Sequence, residues 1–154
     1  MTPEQKSTNA ETLEHIGNVR NFINKLVTKL LKRGELHDQT KLSSPEIDLF
    51  TEYTPKLSAC TYGSDEYNQF LEGLKPALDH HYAKNRHHPE HHADGINSMN
   101  ILDILEMFCD WKAATLRHDD GNIKKSIEHN AKRFNMDHQL TQILMNSIDL
   151  LEDE

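Results

Sequence analysis

The 154-residue sequence contains only two cysteines, Cys60 and Cys109, and no CxxC pair. A disulfide framework is therefore not expected. No apolar run approaches the roughly 20 residues that a membrane-spanning helix needs, so we expect no membrane partner. The first residues lack the basic start and apolar core of a secretory signal, which favours a cytoplasmic location.

Positive charge is also scarce. The chain has 17 Lys and Arg against 25 Asp and Glu, a formal net charge of -8 with histidine neutral. Binding to long nucleic acid draws on clustered basic side chains, so a long DNA or RNA partner is not expected. A bound divalent metal would add positive charge where acidic side chains converge. Such a site could still attract a small phosphate ester, which is therefore the ligand that we expect.

The alternating pattern of a β-strand is absent, and helical periodicity runs through most of the chain. The length fits one domain, residues 1–154. We therefore predict an all-α fold, a compact single-domain helical bundle. Its first helix follows an apolar stripe from Leu13 to Leu31 and ends at Gly34.

Turn and cap signals place the remaining helices. Ser44 caps a short helix that has Pro45 at its first position. The turn Tyr62-Gly63-Ser64 precedes a helix from about Asp65, which Pro76 kinks or divides. A largely buried helix runs from about Ser98 to His118, and two amphipathic helices follow over about 122–152.

Histidine is unusually abundant and clustered in the sequence. Six of the eleven histidines lie in the segment LDHHYAKNRHHPEHH, residues 78–92. Taken alone, this segment is either a solvated polar loop or a metal-binding one. Histidine nitrogens and carboxylate oxygens suit Fe, Mn, Co, Ni or Zn, and the scarcity of cysteine disfavours a structural zinc finger.

Two further histidines lie near the first helix. His37 and Asp38 are adjacent at a helix junction, where both side chains can turn toward one point and bind one metal or two. His15 lies beside the apolar stripe, so we expect it to point at least partly inward. A hydrogen-bonded core histidine is the alternative interpretation of His15.

Asp110 lies within an apolar helix, where an unpaired carboxylate would be costly unless a cation or hydrogen-bond donors met it. Asp103, Glu106 and Asp110 share one face of this helix. Either a metal site or a salt-bridged surface stripe explains the pattern.

In order, His15, His37-Asp38, His80-His81 and Asp110 give the pattern H…HD…H…D. Over residues 10–118 the chain resembles the HD-domain metal-dependent phosphohydrolase superfamily. HDQTK, residues 37–41, looks like the H-D-x-x-K form of its motif. NRHHPEHH followed by MNILDILEMFCDW is similar to a small group of bacterial and phage HD-like proteins.

The resemblance implies a bundle of HD-domain type and one or two divalent metal ions. It implies His15, His37, Asp38 and Asp110 as core ligands, with His80 or His81 completing a second position. No histidine lies between Asp38 and His80, where many dinuclear members have one, so the metal count stays open.

The other expected roles combine this resemblance with the chemistry of phosphoryl transfer. Lys41 and Arg86 would neutralise charge on the phosphoryl oxygens. His88 or Glu90 would protonate the leaving oxygen, and His87 and His91 would ligate or hold the phosphate.

The expected activity is hydrolysis of a small phosphorylated nucleotide, of nucleotidase or phosphodiesterase type, through a metal-activated water. Two alternatives remain: a metal-stabilised binding module without catalysis, whose helices after Gly121 form a dimer surface, and a dinuclear-iron oxygenase of HD type. The sequence leaves the metal, the nucleotide and a homo-oligomer open.

Overall fold

The computed structural model describes residues 1–61, 64–117 and 120–152, where it contains helices and turns but no strand. The predicted all-α class is confirmed. The α-helices are α1 (Pro3–Leu36), α2 (Glu46–Ala59), α3 (Asp65–Lys84), α4 (Ile101–Thr115), α5 (Ile123–Arg133) and α6 (His138–Asn146). Short 3-10 turns lie at Gln39–Leu42, Pro89–His91, Gly95–Ser98 and Ile148–Leu151. Within these described ranges, no helix is both long and apolar enough to cross a membrane.

The chain divides into two compact units, Met1–Leu36 and His37–Glu154. The first unit is α1 alone, and none of its residues is buried in the structure. The helix passes through Gly34 instead of ending there, because Gly34 keeps a helical backbone and Glu35 and Leu36 continue the helix. The prediction of one domain over residues 1–154 stays a prediction.

In the second unit, α2 and α3 pack closely at Gly73. A Cβ atom at this position would lie 2.5 Å from the ring of Tyr53, so only glycine allows this approach. The expectation that Pro76 divides the helix is wrong, since α3 is one helix through that residue; the alternative, a kink, stays a prediction. Ser64 caps α3 by accepting from the backbone N–H of Tyr67, as predicted, while Tyr62 and Gly63 lie outside the described residues.

The start of α2 also differs from the prediction. Pro45 occupies the N-cap position without a side-chain cap, and the helix begins at Glu46. Ser44 therefore lies one residue before the N-cap and does not cap the helix itself. This shift gives Glu46 the first helical position, from which its carboxylate reaches α3.

The hydrophobic core of the second unit is built by α4, α5, α6 and the turn after them. Its buried side chains are Ile104, Met107, Phe108, Trp111, Ile123, Ile127, Leu144 and Ile148. A capping box between Asn100 and Asp103 starts α4 three residues later than predicted. The helix ends at Thr115, before the predicted end at His118, which lies outside the described residues.

Candidate metal centre

His37 and Asp38 follow the last residue of α1, and the backbone at this point turns both side chains toward each other. Asp38 has φ 56° and ψ 13°, a left-handed conformation that aspartate tolerates better than most residues. As a result, His37 Nε2 lies 3.5 Å from Asp38 Oδ2. The adjacent side chains converge as the sequence pattern predicts.

Three overlapping groups of side chains could each hold a metal ion in the described part of the chain, with ligand atoms within 4.8 Å of one another. Three residues each belong to two of the groups: Asp38, His37 and His87. The groups are Asp38, His81, His87 and His88; His37, His87 and Glu106; and His37, Asp38 and Asp110. Six of these seven residues are site residues predicted from the sequence. The seventh, Glu106, is predicted only as a member of the acidic face of α4.

The first group has the spacing of a coordination shell. Asp38 Oδ1 lies 3.3 Å from His81 Nε2 and 3.5 Å from His87 Nε2. His81 Nε2 lies 2.9 Å from His88 Nε2. Ligand atoms bound to one metal at about 2.0–2.2 Å stand about 3–3.5 Å apart, so these atoms need little movement to surround a cation.

A buried carboxylate sets the orientation of His81. Glu46 has no exposed surface, and its Oε2 lies 2.8 Å from His81 Nδ1. Asn85 Nδ2 is also 3.0 Å from this nitrogen, but its two protons are used by Thr40 Oγ1 and the carbonyl of His81. His81 Nδ1 therefore donates to Glu46, which leaves the Nε2 lone pair facing Asp38.

Three buried polar atoms in the cluster have no hydrogen-bond partner among the described residues: Asp38 Oδ1 and both ring nitrogens of His87. His87 Nδ1 lies 3.2 Å from Glu106 Oε1, but the angle does not suit a hydrogen bond. Only 1% of the His87 side chain is exposed. Buried polar atoms without partners are costly, and a cation between them would remove this cost.

The acidic face of α4 borders the same cluster. Glu106 Oε1 lies 3.0 Å from His37 Nδ1, and Asp110 Oδ1 lies 3.6 Å from His37 Nε2. These carboxylates place His37 between α4 and Asp38. The alternative of a salt-bridged surface stripe is met in part: Asp103 and Glu106 both contact basic side chains, but Asp103 is fully buried and Glu106 is mostly buried.

The electrostatics follow from these contacts. Hydrogen bonds with the carboxylates of Asp110 and Glu106 raise the pKa of His37 to about 10. Burial opposes the ionisation of Asp38, but the close contact with His81, the hydrogen bond from Lys41 and the positive charge of His37 outweigh it and hold the pKa of this carboxyl well below its usual range. Burial, together with the neighbouring His87, lowers the pKa of His88 to about 3. His88 is thus neutral at neutral pH and presents a lone pair.

The two basic residues predicted to meet phosphate both have carboxylate partners. Lys41 Nζ lies 2.6 Å from Asp38 Oδ2 at the edge of the cluster. Arg86 donates from Nε and Nη2 to the fully buried Asp103, at 3.2 and 3.1 Å. This pair ties the histidine-rich segment to the start of α4.

Other predicted site residues lie outside the three groups. His80 Nδ1 lies 2.7 Å from Glu46 Oε1, Glu90 pairs with Arg133 at 2.7 Å, and His91 Nδ1 donates to the carbonyl of Tyr82. His15 lies in the first unit with an exposed side chain, contrary to the inward orientation predicted for it. The cause is that α1 buries none of its residues in this structure.

The fold and the site together define an all-α protein with a candidate histidine–carboxylate metal centre. The model of a protein family of unknown function, DUF5662, matches residues 4–150. The chain therefore belongs to this family. No curated protein and no solved structure matches the chain. The resemblance to the HD-domain superfamily stays a prediction.

Proposed function

We propose that this protein is a metal-dependent phosphohydrolase that acts on a small phosphorylated nucleotide, as a nucleotidase or phosphodiesterase. One observation carries the proposal. The ligand atoms of Asp38, His81, His87 and His88 all lie within 4.8 Å of one another, and three of the six distances between them are 2.9–3.5 Å. Atoms of Asp38 and His87 there are buried and lack hydrogen-bond partners in the described residues.

The donor set fits Mn, Fe, Co, Ni or Zn, because it combines imidazole nitrogens with carboxylate oxygens. Asp38, His81, His87 and His88 would hold one cation. His37, Asp38 and Asp110 would hold a second where two are bound. A bound divalent metal lowers the pKa of water toward neutrality and polarises a phosphoryl oxygen.

The two basic residues near the cluster, Lys41 and Arg86, have different roles in this proposal. Lys41 carries its ammonium group at the edge of the cluster with 37% of the side chain exposed, so it is placed to meet a phosphoryl oxygen. Arg86 is instead assigned to positioning, because its guanidinium is bound to Asp103.

Neither His88 nor Glu90 suits the expected role of the acid that protonates the leaving oxygen. His88 is neutral at neutral pH, which suits a ligand better than an acid. Glu90 is bound to Arg133 at 2.7 Å and lies outside the three groups of candidate ligands. In this scheme, a solvent water protonates the leaving oxygen, and neither His88 nor Glu90 is assigned the role.

The experiment is metal analysis of the purified protein, followed by a nucleotide screen with Mn, Co, Fe and Mg that reads released phosphate. We expect bound metal and turnover in the wild type. His87→Gln should lose both, while His129→Gln, which alters an exposed histidine on α5, should keep both.

Three other outcomes would contradict the proposal. Retained metal without turnover of any phosphoester would favour the non-catalytic binding module. Turnover that stops under anaerobic conditions would favour the dinuclear-iron oxygenase. Full turnover after exhaustive chelation, or in His87→Gln, would rule out a mechanism that depends on this metal site.

A further inference from the structure

The first helix exposes a continuous apolar face. Each of eight large apolar side chains on α1 is at least 42% exposed. They are Leu13, Ile16, Val19, Phe22, Ile23, Leu26, Val27 and Leu31. A stripe of this width is normally buried against another element, so its exposure indicates an interaction surface.

The stripe is centred on Phe22, midway between Leu13 and Leu31. At 1.5 Å per residue it is about 27 Å long. The charges of α1 change sign near the same residue. Three acidic and two basic side chains precede Phe22 in the helix, whereas four basic and one acidic side chain follow it.

The change in the sign of the charge is seen along one edge of the stripe, at Glu11 and Lys29. They are 18 residues apart in the sequence. This separation is about five turns at 3.6 residues each, so both side chains lie on the same side of the helix. One edge of the apolar face is therefore acidic at one end and basic at the other.

We propose that α1 pairs in antiparallel orientation with α1 of a second copy of this chain. In such a pair, a two-fold axis near Arg20, about 3 Å along the helix from the centre of the stripe, brings the apolar faces together. Each edge of the stripe then faces the same edge of the partner helix. Glu11 then faces the partner's Lys29, and Lys29 faces the partner's Glu11. A parallel pair would place the basic halves side by side, which is unfavourable.

A lipid surface is the main competing occupant, because the second half of α1 is both apolar and basic. A helix that lies on anionic lipid normally carries Lys and Arg along its polar face. Glu4, Glu11 and Glu14 in the first half disfavour this. The same charges complement the basic half of a second α1, so a second copy fits better.

The test measures the dimerisation constant of the full chain by sedimentation velocity at low salt. Glu11→Lys and Lys29→Glu should each weaken the dimer roughly tenfold, because two favourable pairs become two repulsive ones. An equimolar mixture of the two variants should recover nearly wild-type affinity as a heterodimer. A mixture no tighter than the single variants would overturn the proposal.

The apolar contact is tested with Ile23→Glu, which should weaken the dimer at least 100-fold. Asn21→Glu is the matched control, since it adds the same charge to the opposite, polar face and should have little effect. Because α1 buries no residue of its own, the melting temperature of Ile23→Glu should match that of the monomeric wild type at low concentration.

Three results would reject the second copy. The wild type could stay monomeric at tens of micromolar with Ile23→Glu lowering the melting temperature, which would mean that α1 docks on its own chain. It could stay monomeric while binding phosphatidylserine-containing vesicles through Ile23. A dimer unaffected by Ile23→Glu would place the interface elsewhere.

Discussion

His81 Nε2 lies 2.9 Å from His88 Nε2, although the Nδ1 proton of His81 is already donated to Glu46. Two imidazole lone pairs at this distance repel each other. In the metal-free protein His88 must therefore carry its single proton on Nε2 and donate it to His81, since a pKa of about 3 keeps the ring neutral.

This contact predicts a tautomer change at His88. Binding of Zn²⁺ should move the His88 proton from Nε2 to Nδ1, because Nε2 becomes a ligand. Two-bond ¹⁵N–¹H correlation spectra of the imidazoles measure the tautomer directly during titration. His129 should show no change, and an unchanged His88 at saturating metal would contradict the proposed first metal site.

Glu46 is expected to act through His81 without touching the metal. Glu46→Gln lets the amide either donate or accept and so no longer fixes the His81 tautomer. We expect metal affinity to fall about 10–100-fold. Glu46→Asp should retain more of the affinity than Glu46→Gln, because the carboxylate survives.

The matched control for this variant is Glu52→Gln, which alters an exposed carboxylate on α2 that pairs only with Lys56 among the described contacts. Isothermal titration calorimetry with Zn²⁺ gives the affinities, and circular dichroism reports the fold. Equal loss of affinity in Glu46→Asp and Glu46→Gln, each with reduced helicity, would indicate a purely structural role.

The raised pKa of His37 predicts how the stability of the metal-free protein depends on pH. Its pKa is about 10 when folded and near 6.5 when unfolded. The ion pairs of the imidazolium therefore stabilise the fold fully below about pH 6.5, and this contribution is lost as the pH rises toward 10.

Urea unfolding in EDTA at several pH values measures this contribution. The difference in unfolding free energy between wild type and His37→Gln should shrink steadily from pH 6.5 to pH 10. Subtracting the variant removes the titration of other groups. A difference that stays constant over this range would show that the imidazolium is not stabilised by Glu106 and Asp110.

Arg86 is expected to support the fold rather than to contact the substrate. Arg86→Gln removes the guanidinium that binds the fully buried Asp103, and we expect a loss of roughly 1–3 kcal/mol in unfolding free energy. Arg117→Gln, at an exposed position just after α4, should cost far less. Unchanged stability of Arg86→Gln, with a raised KM for a nucleotide substrate, would restore the predicted substrate-binding role.

The close approach of α2 and α3 gives a prediction about packing. Gly73→Ala places a Cβ atom against the Tyr53 ring and should destabilise the fold by roughly 1–3 kcal/mol. Gly34→Ala is the control, because its Cβ meets nothing within 4 Å and alanine favours a helix. Thermal unfolding compares the two, and equal melting temperatures would mean that the helices separate freely at Gly73.

The sequence predicts the helices and much of the site because the signals are local. The polar residues of α4 stand out against its apolar surroundings, and His37-Asp38 lies at a helix junction. By contrast, His80 and His81 are about 100° apart on one helix, so only one of them faces the cluster. Nothing local distinguishes them, since the choice depends on where α3 packs.

Glu46 shows a second limit of sequence reasoning. An acidic residue in the first turn of a helix is common, because it complements the helix dipole. Its burial and its contacts with two histidines depend on the packing of α2 on α3, which the sequence pattern does not specify. The exposure of α1 is a third case, since an apolar stripe predicts burial without naming the partner.

The proposed ligands are far apart along the chain, from His37 to Asp110, and they belong to four separate stretches of it. A cation bound to Asp38, His81, His87 and His88 would act as a cross-link that closes the chain between residues 38 and 88, much as a disulfide does, although this chain has only two cysteines. Metal removal would then loosen the histidine-rich segment first and expose it to proteases before the core of α4, α5 and α6 opens.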